Sequence, residues 1–110
     1  MKILVVDDES WILEVLMKML NRAGYEVITA IGPEMARQAA SMQTFDLLLT
    51  DVEMPGTRGP ALADELKARQ PSLRVLFLSG SEPEDSLSGP LLQKPCKSEE
   101  LIEAVGKALS

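Results

Sequence analysis

The chain has 110 residues, of which 45% are hydrophobic and 25% charged, and a net charge of −6 with eleven basic residues scattered along it. That size and balance suit one globular domain with a core of its own, while the acidic balance argues against direct nucleic-acid binding and against adsorption to an anionic membrane. There is no histidine and one cysteine, Cys96, which excludes an internal disulfide, cysteine-cluster or histidine zinc sites, and Ser-His or Cys-His catalysis.

Ile3-Leu4-Val5-Val6 is a continuous apolar run, the pattern of a strand buried on both faces. Ile12, Val15, Leu16, Met19 and Leu20 then recur at helical spacing, and Gly24 supplies a stop, so a first helix with that apolar stripe is expected. Residues 25–29 read as a second strand. Gly32-Pro33 opens an Ala-rich helix reaching about Met42, with Pro33 suited to a first turn. Residues 45–50 form a third strand, apolar until it meets Asp51. Met54-Pro55-Gly56 and Gly59 are loop signals, and a helix follows over residues 60–70 with Leu62 and Leu66 inward. Residues 74–78 are a fourth strand and Leu91-Leu92-Gln93 a short fifth. The last helix is expected from Ser98, as N-cap, to about Leu109, with Glu99 and Glu100 in its first turn. Leu101, Ile102, Val105, Ala108 and Leu109 form its buried stripe.

Strands alternating with helices imply a parallel sheet covered on both faces. Between Leu78 and Leu91 lie twelve residues, including Pro83, Pro90, Gly80 and Gly89. A parallel crossover needs at least about 10–12 residues in all, so one helical turn around Glu82 to Leu87 is the most this segment holds. No stretch approaches a membrane span, and the first strand lacks the features of a signal peptide. The expectation is a single domain over residues 1–110, soluble and cytoplasmic, or a cytoplasmic module of a larger protein.

In an open parallel sheet, ligands bind beyond the carboxyl ends of the strands. Strand one ends in Asp7-Asp8-Glu9, strand three in Asp51, strand four in Ser79 and strand five in Lys94-Pro95. Several carboxylates converging on one volume repel each other unless a cation joins them. Magnesium, a hard ion that takes oxygen ligands and keeps several waters, suits such a place. Lys94 and the Ser79 hydroxyl would hold phosphoryl oxygens there, and a carboxylate is a competent nucleophile for phosphate.

Taken in order, Asp7-Asp8, Asp51 with Met54-Pro55 and Gly59, Ser79-Gly80 and Lys94-Pro95 resemble response-regulator receiver domains, over nearly the whole chain. The resemblance implies a flavodoxin-like, doubly wound five-stranded parallel sheet of order 2-1-3-4-5. It implies that Asp51 is the phosphorylation site, supplied by a sensor histidine kinase, a phosphotransfer protein or a small phosphodonor. Mg2+ would be held by Asp8, by Asp7 mainly through water, by Asp51 and by the backbone carbonyl of Glu53. Ser79 and Lys94 would bind the phosphoryl group and report its arrival, and the Lys94–Pro95 bond would be cis. An output domain or a second copy of the chain would be further partners, and receivers attached to hybrid sensor kinases are the most similar in the stretch from Gly59 to Gly80.

Two departures stand out. The helix that family members carry after the fourth strand is shortened or missing, which reshapes the face used for output. Leu91 occupies the position three residues before Lys94 where an aromatic switch residue is common, and Cys96 replaces a bulky apolar residue. The plainer readings are an acidic helix cap for Asp7, Asp8 and Glu9, a turn residue for Asp51, and a surface turn for Lys94-Pro95. Cys96 reads as a small buried residue, Trp11 as partly buried packing near the site's rim, and Glu53 as a loop charge that also bears on how water reaches Asp51. A degenerate receiver acting as a phosphorylation-independent interaction domain is the alternative. A haloacid-dehalogenase-type phosphatase fits poorly, because no D-x-D closes the first strand.

Overall fold

A computed structural model of the protein describes residues 1–80, 89–94 and 96–110. Chain order is β1 (Lys2–Asp7), α1 (Ser10–Arg22), β2 (Glu26–Ile31), α2 (Pro33–Met42), β3 (Leu47–Asp51), α3 (Gly59–Arg69), β4 (Arg74–Ser79), β5 (Leu91–Gln93) and α4 (Ser98–Leu109). The strands form one sheet of order β2-β1-β3-β4-β5 with every pair parallel, the expected flavodoxin-like arrangement.

Side chains alternate across a strand, so continuous apolar runs feed two cores at once. Leu4, Val6, Leu48, Val75 and Phe77 pack on one face against Ala36 of α2 and Leu62, Ala63 and Leu66 of α3. Ile3, Val5, Leu47, Leu49, Leu76 and Leu78 pack on the other against Leu13, Leu16 and Leu20 of α1 and Leu101 and Val105 of α4. Among the described residues no helix is long and apolar enough to cross a membrane.

The structure shifts several expectations. In α1 the inward line is Leu13, Leu16 and Leu20, with Ile12 and Met19 half-buried at its flanks. Val15 is 41% exposed and Trp11 63% exposed, because a helix turning about 100° per residue carries them off that line. The packing expected of Trp11 gives way to a surface bond: its indole N–H donates to the Glu9 carboxylate at 2.9 Å. Lys97, not Ser98, is the N-cap of α4, and Glu100 reaches back to accept the Lys97 N–H at 3.2 Å. β3 starts two residues late because Phe45 sits before the ladder, its N–H donating to the Gln70 side chain at 2.9 Å. β1, β3 and β4 each run one residue further than expected, so Asp7, Asp51 and Ser79 close their strands from inside the ladder. The shortened helix after β4 falls on residues 81–88 and the cis bond on Pro95, both outside the described residues.

Candidate functional site

Strand register sets the site. β1 and β3 are neighbours, with Val6 opposite Thr50, so Asp7 and Asp51 emerge side by side. Asp51 pairs with Leu78, which brings Ser79 to the same end of the sheet. Lys94 follows β5 directly, and its N–H donates to the Ser79 carbonyl at 2.8 Å.

Asp7 is wholly buried, Asp51 and Ser79 are nearly so, and Asp8 is exposed. Between the two buried carboxylates sits the Lys94 ammonium, 2.8 Å from Asp7 Oδ2 and 3.4 Å from Asp51 Oδ2. The second Asp7 oxygen accepts the Glu9 N–H at 3.0 Å, and Asp51 Oδ1 accepts the Glu53 N–H at 3.4 Å. Carboxylate oxygens of Asp7, Asp8 and Asp51 all lie within 4.8 Å of one another.

Burial pushes the Asp51 carboxyl above the usual carboxylate range; Lys94 pulls it back, Asp7 pushes it further up, and the balance stays raised. Burial alone would lower Lys94, but its bond to Asp7 and the charges of Asp7 and Asp51 outweigh that, so its pKa is raised. Two buried carboxylates therefore share one ammonium, and with the Asp8 carboxylate beside them the cluster carries more acidic groups than basic ones. Such a cluster fits a hard divalent cation: the donors are all oxygens, two come from rigid strand ends, and the exposed Asp8 leaves a side open for water ligands.

The remaining residues singled out from the sequence fall around this cluster. Glu53 is exposed, its carboxylate 3.1 Å from Arg58 Nη2. Leu91 pairs with Phe77 and packs half-buried against the α2–α3 core. Cys96 is a free, half-buried thiol packed against the α1–α4 core, and burial pushes its pKa up, as for an unreactive structural cysteine. Sequence reading passed over Arg37 of α2. Its Nε lies 2.6 Å from Glu65 of α3, its Nη1 2.8 Å from Glu34, and its Nη2 donates to the Thr57 hydroxyl at 2.8 Å. Glu65 is 28 positions from Arg37 in sequence, so no local pattern announces the cluster.

A doubly wound α/β protein with an acidic, cation-accepting site at the carboxyl ends of its central strands is the class that fold and site define. Residues 3–106 match the family model for the response regulator receiver domain, and the chain belongs to that family, whose members are phosphoacceptor signalling domains of two-component systems. It is 35% identical to the DNA-binding transcriptional regulator NtrC of Bradyrhizobium sp. (strain RP501 Parasponia), over 98% of this chain and 24% of that protein. The chain thus spans about a quarter of that relative's length. The receiver domain of the hybrid histidine kinase CckA superposes with a TM-score of 0.88 at 34% identity, covering 100% of both chains. The response regulator TrrA of Thermotoga maritima, solved in complex with Mg(2+)-BeF, superposes with a TM-score of 0.88 at 32% identity, covering 98% of both.

Proposed function

We propose that this chain is a single receiver domain over residues 1–110 and that Asp51 is its phosphoacceptor. The reading is carried by one observation: Lys94 bridges the buried carboxylates of Asp7 and Asp51, with Asp8 beside them. An Asp51 oxygen attacks the phosphorus of a phosphohistidine on a sensor histidine kinase or phosphotransfer protein, or of a small phosphodonor. The bond from phosphorus to the leaving group breaks, and the leaving group keeps the electron pair. Hydrolysis of the acyl phosphate later returns the carboxylate and inorganic phosphate, so the domain assists its own turnover without being an enzyme for others.

Asp8, Asp51, the Glu53 carbonyl and Asp7, the last mainly through water, would hold Mg2+. When bound, Mg2+ offsets the negative charge of the cluster and of the incoming phosphoryl group. Lys94 supplies a point charge for one phosphoryl oxygen and the Ser79 hydroxyl a hydrogen bond for another. As these two groups shift toward the phosphoryl group, they carry the change to β4 and β5. With Leu91 in place of an aromatic side chain, the change leaves through aliphatic repacking next to Phe77. An output domain or a second copy reads it, in the cytoplasm.

The test is a mass spectrum recorded after incubation with acetyl phosphate and Mg2+. One phosphate should be gained, and the gain should vanish in Asp51→Asn and in EDTA. An unphosphorylated wild-type chain under these conditions would favour the interaction domain that works without phosphate.

A further inference from the structure

Arg37 uses all three guanidinium nitrogens, and what they join is unusual for an ordinary surface ion pair. Two of its partners belong to helices, Glu34 on its own α2 and Glu65 on α3, while the third is the hydroxyl of Thr57 in the loop of residues 52–58. That loop begins directly after Asp51. Its two ends are closed by backbone bonds, Val52 N–H to the Leu78 carbonyl at 2.8 Å and Gly59 N–H to the Val52 carbonyl at 2.9 Å. A Cβ on Gly59 would overlap the Asp51 carbonyl, so helix α3 starts in contact with the phosphoacceptor's own backbone. Within the loop, Met54 is buried in the α2–α3 core and Thr57 is tied to Arg37.

We infer that Arg37 and Thr57 are positioning residues for the site at Asp51: through the Thr57 hydroxyl, the Arg37–Glu65 pair fixes the loop that presents Glu53. This rests on the reading of Asp51 and the Glu53 carbonyl given above. Glu53 stands between Asp51 and the buried Met54, its N–H bonded to Asp51 Oδ1. A displacement at Thr57 travels back through the short loop to that peptide. Charge-assisted bonds from a planar fork hold direction as well as distance, which a lysine in place of Arg37 would not do. The Arg37–Glu65 bond also leaves Arg37 raised and Glu65 lowered in pKa, so both stay charged in the working range.

Thr57→Val separates this role from a structural one, because it removes the hydroxyl and leaves the Arg37–Glu65 bond in place. Four readouts on the whole chain suffice: amide hydrogen exchange of residues 53–58, Mg2+ titration followed by Trp11 fluorescence, phosphorylation by acetyl phosphate, and the urea midpoint. Thr57→Val should exchange faster in that segment and bind Mg2+ about tenfold more weakly, as expected when a group supporting a ligand is lost, with its urea midpoint unchanged. Phosphorylation should slow in parallel. Thr57→Ser should restore all of this, and Glu34→Gln should behave as wild type. Wild-type exchange and Mg2+ affinity in Thr57→Val would overturn the proposal, as would a Thr57→Ser chain no better than Thr57→Val. A wild-type chain that neither binds Mg2+ nor accepts phosphate would take down the reading of Asp51, and this role with it. Failure confined to the Thr57 variants touches only the role assigned here.

Discussion

Asp7 has no exposed surface, yet one carboxylate oxygen meets an ammonium and the other a backbone N–H. An unpaired buried carboxylate would cost several kcal/mol, so these two contacts are what allow the charge to be there. Lys94 is 21% exposed and pays part of its own desolvation, which makes it a counter-charge rather than a source of large net stability. Removing it is another matter. In the absence of Mg2+, Lys94→Met should lower stability by about 1–3 kcal/mol in urea unfolding, because a buried acceptor loses its charged partner. Added Mg2+ should narrow that deficit, because a cation held by the acidic cluster would return positive charge beside Asp7. A variant as stable as wild type without metal would show that Asp7 does not depend on Lys94.

At the scale of elements, the helices show how far periodicity reaches. The apolar positions of α1 announce a helix but leave its rotation open, since Ile12, Leu13, Val15, Leu16, Met19 and Leu20 support more than one inward line. Contact with Ile3, Val5 and Val105 settles the choice in favour of Leu13, Leu16 and Leu20. Leu16→Ala should therefore cost about 2–5 kcal/mol, while Val15→Ser should stay within about 0.5 kcal/mol of wild type in the same denaturation assay. A larger loss at Val15 than at Leu16 would mean that α1 is turned the other way. Element ends were less legible than element identity for a related reason. Glu100 capping Lys97 and Gln70 holding Phe45 are side-chain bonds whose partners cannot be told from their neighbours by composition. The Arg37 cluster lies still further from view, joining α2, α3 and the loop after Asp51 through residues 20 and 28 positions away.

Across the whole molecule, sheet order turns scattered residues into a site. Asp7 and Asp51 are 44 positions apart in sequence and Lys94 lies 43 beyond Asp51, yet order β2-β1-β3-β4-β5 gathers them at the carboxyl ends of the strands. Since a ligand that binds only the folded state stabilises it, Mg2+ at about a hundred times its dissociation constant should add roughly 2.7 kcal/mol to unfolding. Asp8→Asn should remove most of that gain, and EDTA should return wild type to its metal-free midpoint. A melting temperature indifferent to Mg2+ would rule out the acidic cluster as a cation site.

The division between chain and fold follows from the range of the forces involved. Continuous apolar runs, helical spacing and carboxylates closing two strands are local patterns; they determined the five strands and the four helices described, and they singled out Asp7, Asp8, Asp51, Ser79 and Lys94 as strand-end candidates for the proposed site. Only the tertiary structure decided that Lys94 bridges Asp7 and Asp51, that Trp11 and Val15 face outward, and that Arg37 reaches the loop beside Asp51. Each of these depends on a distance between residues far apart in the chain, set by strand register and helix packing that no local pattern encodes.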